Sequence, residues 1–365
     1  MRVLVINGPN LNLLGSREPE MYGSATLADL ERQIADWAGS LGVEVSFFQS
    51  NHEGELVEAI HGAIEADGIV INPGALTHTS RALGDALQSV GLPAVEVHIS
   101  NVKEREQWRR ISLVSAACVR TIYGRGLSGY QDALRHLANR AAVPFETLRY
   151  GPHPDNLGDL RLPGSDPVGL AVLVHGGFWR QQYERDSIET LAVDLAKRGW
   201  ATWNVEYRRL GDGGGWPASG QDIRLALDHV RQIPEASGLH PSIIGHSAGG
   251  YLALWAANRP SSSPVGLTVG LAAVTDLSAL AGADGPGSGE ARRLLSSGAP
   301  PTLEAPSSTL LVHGEEDELV PVIHSSRLTD TARVEVFAGL GHFDMLDPTK
   351  EHWSAVFAAL ENAGN

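Results

Sequence analysis

The chain has little cysteine, few basic residues and no long apolar run, and each shortage closes off a class of function. Its 365 residues include one cysteine, Cys118, so an internal disulfide is impossible and a cysteine-built zinc site has no ligands. With Ala116, Ala117 and Val119 beside it, the thiol reads as a buried group at a strand edge and not as a reactive centre. No stretch approaches the ~20 apolar residues of a membrane span. The opening Met1-Arg2-Val3-Leu4-Val5-Ile6-Asn7 runs straight into Gly8-Pro9, with neither the hydrophobic region nor the cleavage site of a signal peptide. A cytoplasmic location without a membrane partner is therefore expected. Against 43 Asp and Glu stand 28 Lys and Arg, a formal net charge of −15, which argues against nucleic acid as a partner.

What is present is the composition of a folded protein, 42% hydrophobic and 19% charged, at a length of about two ordinary domains of ~150 residues. The acid is uneven, with a net −4 over residues 1–142 and −11 over 143–365. Short apolar runs alternate with amphipathic stretches, as in a parallel sheet with crossover helices. Strands over 3–7, 43–49, 68–72, 94–98 and 119–123, with helices over 27–41, 53–66, 78–90, 103–112 and 127–140, predict an α/β domain over 1–142 with a flavodoxin-like five-stranded parallel sheet. In such a sheet ligands bind beyond the carboxyl ends of the strands. Across 143–167, Pro144, Pro152, Pro154, Pro163 and Pro167 interrupt a segment without apolar periodicity, which predicts a Pro-rich linker. The alternation restarts over 168–365. Strands are expected at 170–175, 201–205, 242–245, 265–271, 309–313 and 334–337, and helices at 187–198, 221–232, 248–258 and 351–361.

In this second unit Gly245-His246-Ser247-Ala248-Gly249 lies between an expected strand and an expected helix, the setting that makes Gly-x-Ser-x-Gly a nucleophile elbow. Downstream, Asp317 and His342 each follow a strand, so the order is Ser247, Asp317, His342, that of an α/β-hydrolase triad. Upstream, His175-Gly176-Gly177-Phe178-Trp179 ends a strand, where Gly176 and Gly177 let backbone N–H groups face a developing oxyanion. The Ala248 N–H supplies a second donor. Glu315, Glu316 and Glu318 crowd Asp317 and read as a solvated acidic loop. Trp179, Trp216 and Trp255 read either as an aromatic acyl pocket or as core.

These stretches, with Asn204-Val205-Glu206-Tyr207-Arg208 and 313–321, resemble the α/β-hydrolases with an HGG oxyanion motif, within them the kynurenine formamidase and carboxylesterase branch. The resemblance implies an α/β-hydrolase domain that hydrolyses an ester or an N-formyl amide through an acyl-serine. Ser247 attacks, His342 shuttles the proton and Asp317 orients the imidazole.

The first unit carries an unusual polar set at one edge: Asn10, Arg17 and Tyr22 after the first strand, Asn72 and His78 after the third, His98 and Ser100 after the fourth, and Arg105 and Arg109 beyond. The Gly8-Pro9-Asn10 turn has neither the dinucleotide nor the P-loop pattern, and no carboxylate cluster suits a metal. A small polar anion fits the set better. A tyrosine base at neutral pH is about 0.1% ionised unless positive neighbours favour phenolate, and Arg17 and Arg109 are available to Tyr22.

Asn7–Gly15, Arg17-Glu18-Pro19, Tyr22-Gly23, Gln49–Gly54, Asn72–Ala75, Thr77–Ser80 and Glu96–Asn101 together closely resemble type II 3-dehydroquinate dehydratase, over residues 2 to about 140. That resemblance implies conversion of 3-dehydroquinate to 3-dehydroshikimate through an enolate, without cofactor. It assigns Tyr22 as the base, Asn10 to the enolate through water, and His98 to departure of the hydroxyl. Asn72, Ser100 and the Ile99 backbone hold the carboxylate, while His78, Arg109 and Asp85 contact ring hydroxyls. Asp85 reaches a neighbouring subunit's site in that family, which implies trimers assembled into a dodecamer. Trp108-Arg109-Arg110-Ile111-Ser112-Leu113 departs from the usual Phe-Arg-His-His-Ser-Tyr, and Lys103 stands where a histidine is usual. The chain is therefore expected to be a bifunctional enzyme acting on small molecules. The alternative is a dehydratase whose hydrolase-like unit is a non-catalytic interaction module.

Overall fold

The structure, a computed structural model, describes residues 1–16, 24–211, 213–236, 238–259 and 264–364. The chain divides into two units, Met1–Ala141 and Ala142–Asn365.

In the first unit five strands, β1 (Arg2–Asn7), β2 (Glu44–Gln49), β3 (Gly68–Asn72), β4 (Ala94–His98) and β5 (Arg120–Tyr123), pair in parallel in the order 2-1-3-4-5. The helices α1 (Leu27–Ser40), α2 (Glu53–Gly62), α3 (Arg81–Val90) and α4 (Ser128–Ala142) connect them. β3 and β4 are buried along their whole length, which makes β3 apolar up to Asn72 and leaves Glu96 and His98 of β4 as buried polar side chains. Thr26 and Asp29 close α1 with a reciprocal capping box, and its Leu30, Ile34 and Ala38, four residues apart, turn to the core. This is the flavodoxin-like sheet expected. The helix expected over 103–112 is not formed. That segment makes two short 3₁₀ turns, Val102–Glu104 and Gln107–Arg110. Its large apolar side chains, Trp108 and Ile111, are exposed, so a helix there has no face to bury. Cys118 lies half-buried just before β5 with a free thiol that burial pushes well above its ordinary pKa.

The second unit is built on an eight-stranded sheet in the order 13-12-11-10-8-9-7-6, comprising β6 (Glu146–Arg149), β7 (Leu157–Arg161), β8 (Gly169–Val174), β9 (Trp200–Val205), β10 (Pro241–His246), β11 (Thr268–Leu271), β12 (Thr309–Gly314) and β13 (Arg333–Phe337). β7 runs antiparallel to both β6 and β9, and the rest is parallel. Its helices are α5 (Glu189–Lys197), α6 (Ala218–Val230), α7 (Ala248–Ala257), α8 (Leu277–Gly282), α9 (Ser288–Ser296), α10 (Ile323–Ser326) and α11 (His352–Gly364). Alternate residues of β8 feed two cores. Leu170, Val172 and Val174 pack with α6 and α7, whereas Ala171 and Leu173 pack with Leu191 and Leu195 of α5 and Trp353 and Val356 of α11. This mixed sheet with helices on both faces is an α/β-hydrolase fold.

Residues 143–167 were expected to be a linker, yet they contain β6 and β7, and are part of this sheet. Buried polar residues hold them there. Asp159 takes two bonds from the Arg185 guanidinium at 2.7 and 3.0 Å, and buried Arg161 pairs with Glu189 at the start of α5. Charges thus occupy positions where apolar periodicity is normally sought.

Candidate active sites

In a 2-1-3-4-5 sheet the chain changes its direction of winding between β1 and β3, and a crevice opens at their carboxyl ends. Asn10 follows β1, Asn72 closes β3 and His98 closes β4. Asn10, Asn72, His78, His98, Ile99, Ser100 and Arg109 line one cavity there, together with Arg105 and Trp108. Asn10 sits at φ 69° with its N–H bonded to Asn51 Oδ1 at 2.9 Å, which turns the chain out of β1. Asn72 is fixed from two sides. Its Oδ1 accepts the Gly74 N–H at 3.2 Å, and its Nδ2 donates to Tyr130 Oη at 3.0 Å. Tyr130 in turn donates to Asn7 Oδ1 at 2.7 Å, and burial keeps its phenol protonated for that purpose.

His98 Nε2 lies 3.0 Å from Glu96 Oε1. Glu96 is fully buried and also accepts from Ser112 Oγ, at 2.8 and 3.0 Å, and Thr121 Oγ1, at 3.2 Å. With Nε2–H on the carboxylate, Nδ1 is the ring nitrogen left for a ligand. His78 is pinned through Nδ1 to the Ile111 carbonyl at 2.7 Å, and its ring meets Trp108 edge-on at 5.3 Å. The Arg109 guanidinium stacks on the same Trp108 at 4.7 Å. Ile99 and Ser100 are held from below by Gly124-Arg125-Gly126-Leu127-Ser128-Gly129. Gly124 N–H donates to His98 O and Ser100 O at 3.2 and 3.1 Å, and Gly126 N–H to Ile99 O at 3.1 Å. This segment matches G-x-G-x-x-G between a strand and a helix, a motif the sequence reading overlooked. Its Gly124 and Gly126 amides are spent on the backbone beneath the cavity.

Two expected residues, Arg17 and Tyr22, lie outside the described residues. Asp85 is not brought to the cavity. It stands exposed on α3, on a separate shallow surface with Arg81 and Gln88. Sequence reasoning assigned no role to Glu96 or Tyr130. The signal for Glu96 was its place two residues before His98, which puts both on one face of a strand.

In the second unit Ser247 sits between β10 and α7 at φ 55°, ψ −118°. The turn closes because glycine stands on both sides. A Cβ on Gly245 would lie 2.3 Å from Gly249 O, and one on Gly249 would lie 2.2 Å from Val174 O. Gly176 abuts the serine, since a Cβ there would be 3.0 Å from Ser247 Cβ, and Gly177 follows at φ 102°. Ala248 opens α7, where the first amides have no intrahelical acceptor. The 175–177 loop is anchored by a buried network. His175 Nε2 meets Glu206 Oε1 at 2.9 Å, and Tyr207 Oη donates to His175 O at 2.9 Å. Burial alone would raise the Glu206 pKa, but Arg209, His175 and Arg185 hold the carboxyl well below its ordinary range.

His342 Nδ1 lies 2.7 Å from Asp317 Oδ2. The two loops meet because Gly314 lacks a side chain, as a Cβ there would lie 2.1 Å from Leu340 O. Burial works against the Asp317 anion, but hydrogen bonds from His313, His342 and the Val320 amide outweigh it and hold the carboxyl well below the usual range. Glu315, Glu316 and Glu318 are exposed while Asp317 is buried, which separates the candidate from its acidic neighbours. Trp179 and Trp216 pack edge-on against Tyr251, and Trp216 against Trp255, at 5.8, 6.1 and 4.8 Å, so the three tryptophans form one aromatic cluster with Tyr251. Among the described residues, no group of three or more His, Cys, Asp and Glu is placed to hold a metal, and no helix is long and apolar enough to cross a membrane.

Known families match both units. Dehydroquinase class II matches residues 1–138, BD-FAE residues 159–270, and the prolyl oligopeptidase family residues 217–357. The 3-dehydroquinate dehydratase of Bacillus pumilus is 53% identical over 141 residues, 38% of this chain and 96% of that protein. A catabolic 3-dehydroquinase of Verticillium alfalfae is 57% identical over 138 residues, covering 38% and 92%. Among solved structures, a phosphonate-inhibited esterase B from Lactobacillus rhamnosis superposes with a TM-score of 0.53 at 19% identity, over 65% of this chain and 93% of that one. That likeness is one of fold.

Proposed function

Through its first 138 residues the chain belongs to the dehydroquinase class II family, and from that premise we propose a bifunctional enzyme that dehydrates 3-dehydroquinate and hydrolyses an ester or N-formyl amide at a serine. For the dehydratase, the carrying observation is the cavity that gathers Asn72, His78, His98, Ser100 and Arg109 around an imidazole backed by a buried carboxylate.

Tyr22, ionised with help from Arg17, removes the proton beside the ketone, and the enolate is held by Asn10 through water. Arg109, His78, Asn72, Ser100 and the Ile99 N–H fix the ring. The enolate then expels the ring hydroxyl, which takes the Nδ1 proton of His98 in its imidazolium form and leaves as water, and the proton held by Tyr22 returns to His98 to close the cycle. Neither step needs a cofactor. Asp85 would serve the site of an adjacent subunit, which makes a homo-oligomer built from trimers the working assembly.

For the hydrolase, the carrying observation is Ser247 held at a positive φ of 55°, with His342 bonded to Asp317 in the same unit. A non-glycine residue keeps such a conformation only where its surroundings enforce it, and the cost recurs at functional sites, which favours catalysis over a passive module. Ser247 Oγ adds to the acyl carbon as His342 takes its proton. The oxyanion is met by the Ala248 amide and those of the Gly176-Gly177 turn. His342 returns the proton to the leaving group, and water then clears the acyl-serine.

Paired assays on the full chain test both halves. Tyr22→Phe abolishes growth of dehydroshikimate absorbance and spares hydrolysis of p-nitrophenyl acetate, and Ser247→Ala does the reverse. Joint loss of both activities in either variant contradicts independent sites.

A further inference from the structure

Asp317 has a second histidine. His313, at the end of β12, is fully buried. Its Nε2 lies 2.8 Å from the Val320 carbonyl oxygen and 3.3 Å from Asp317 Oδ2, the oxygen that also receives the His342 Nδ1–H. Both neighbours of Nε2 are acceptors, so Nε2 carries a proton. On the far side of the ring Nδ1 lies 2.7 Å from Ser325 Oγ in α10, so both ring nitrogens are committed and the ring cannot turn away. Oδ1 of the carboxylate accepts the Leu319 and Val320 amides at 2.9 and 2.8 Å. Asp317 thus has four donors, of which His342 alone exchanges protons in the reaction.

Resting on the serine-hydrolase reading above, we propose that His313 is a positioning residue of that site. By sharing Oδ2 with His342 and fastening the Val320 carbonyl, it fixes the direction of the Asp317 carboxylate and limits how strongly that carboxylate favours the imidazolium form of His342. A donor on a carboxylate oxygen withdraws charge from it, so each added donor weakens its pull on a proton held next door. The other ionisable groups packed here are the same in wild type and variants: Asp344, in the His342 loop, accepts the Gly341 amide at 2.8 Å and lies 3.6 Å from Lys350. His246 faces His342 with ring centroids 4.7 Å apart, and His324 lies behind Thr275 with Asp276 and Arg327 beyond it. Burial pushes His246 down to about 3 and His324 down to about 4, so neither changes charge near neutrality. Glu315, Glu316 and Glu318 point to solvent.

The test is the pH dependence of the rate at which a fluorophosphonate labels Ser247 in the full chain, a reaction that needs the His342 base but no knowledge of the substrate. In His313→Phe the acid limb moves up by about 0.5–1 pH unit, and the plateau rate falls about tenfold. His313→Gln, which keeps an N–H near the Nε2 position, restores the wild-type midpoint. Ser325→Ala leaves the ring in place but frees Nδ1, and shifts the midpoint the same way by less; it is the deciding variant if His313→Phe does not fold. An unmoved or lowered midpoint in the variant that folds, or Gln behaving as Phe does, overturns the role of His313 alone. Absence of labelling in the wild type overturns the serine reading on which it rests.

Discussion

Glu96 and His98 show how one buried carboxylate organises a site. Glu96→Gln keeps the shape but replaces a charged acceptor with an amide that can present its NH₂ to the imidazole, so His98 loses its fixed tautomer. The dehydration kcat should fall by about tenfold or more with KM little changed. A kcat within twofold of wild type would remove Glu96 from the account. Gly314→Ala makes the corresponding test in the second unit. The new Cβ meets the Leu340 carbonyl, backbone that must move, and the loop bearing His342 moves with it. Thermal unfolding should show destabilisation of about 1–3 kcal/mol, with loss of fluorophosphonate labelling. At this scale the placement of side chains was legible wherever they came in a contiguous motif, as with Ser247 on its turn, His342 against Asp317 and Asn72 at the cavity. It was not legible for Glu96, Tyr130 and His313, whose importance lies in which atoms they face across the fold.

Elements with apolar periodicity were recovered within a few residues. The elements missed in the second unit have side chains that do not follow the binary pattern. β7 escaped notice because its Asp159 and Arg161 are buried in ion pairs, β6 because it is mostly exposed, and α8 and α9 because Gly282, Gly285, Gly287 and Gly289 punctuate their segment. The segment 103–112 failed in the opposite way, with helix-forming residues but no face to bury. The reassigned hairpin makes a prediction. A fragment beginning at residue 168 lacks β7, so β9 loses its antiparallel neighbour, Glu189 loses its ion pair with Arg161 and Arg185 loses both of its bonds to Asp159. That fragment should be insoluble or lack a cooperative transition by circular dichroism, whereas one beginning at 143 should unfold cooperatively. Equal behaviour of the two would restore the linker reading.

For the whole molecule, the buried histidines link stability to pH. His246 and His324 have folded-state pKa values of about 3 and about 4, below the ~6.5 of an unfolded histidine. The unfolded chain therefore binds protons first as pH falls, and the stability present above pH ~6.5 is lost on the way down, on the order of 2–3 kcal/mol for each group by about pH 4. Calorimetry should show the unfolding temperature of the second unit dropping over that window, and a flat profile from pH 7 to 4 would contradict the buried neutral assignment. Two folds, each with its own cores and its own site residues, also predict two activities that do not depend on each other's chemistry. The most direct measurement is the rate of dehydroshikimate formation by the full chain before and after complete modification with a fluorophosphonate. An unchanged rate, with ester hydrolysis eliminated, is the predicted result. No dehydration in the untreated protein, or its loss in step with Ser247 modification, would contradict the account.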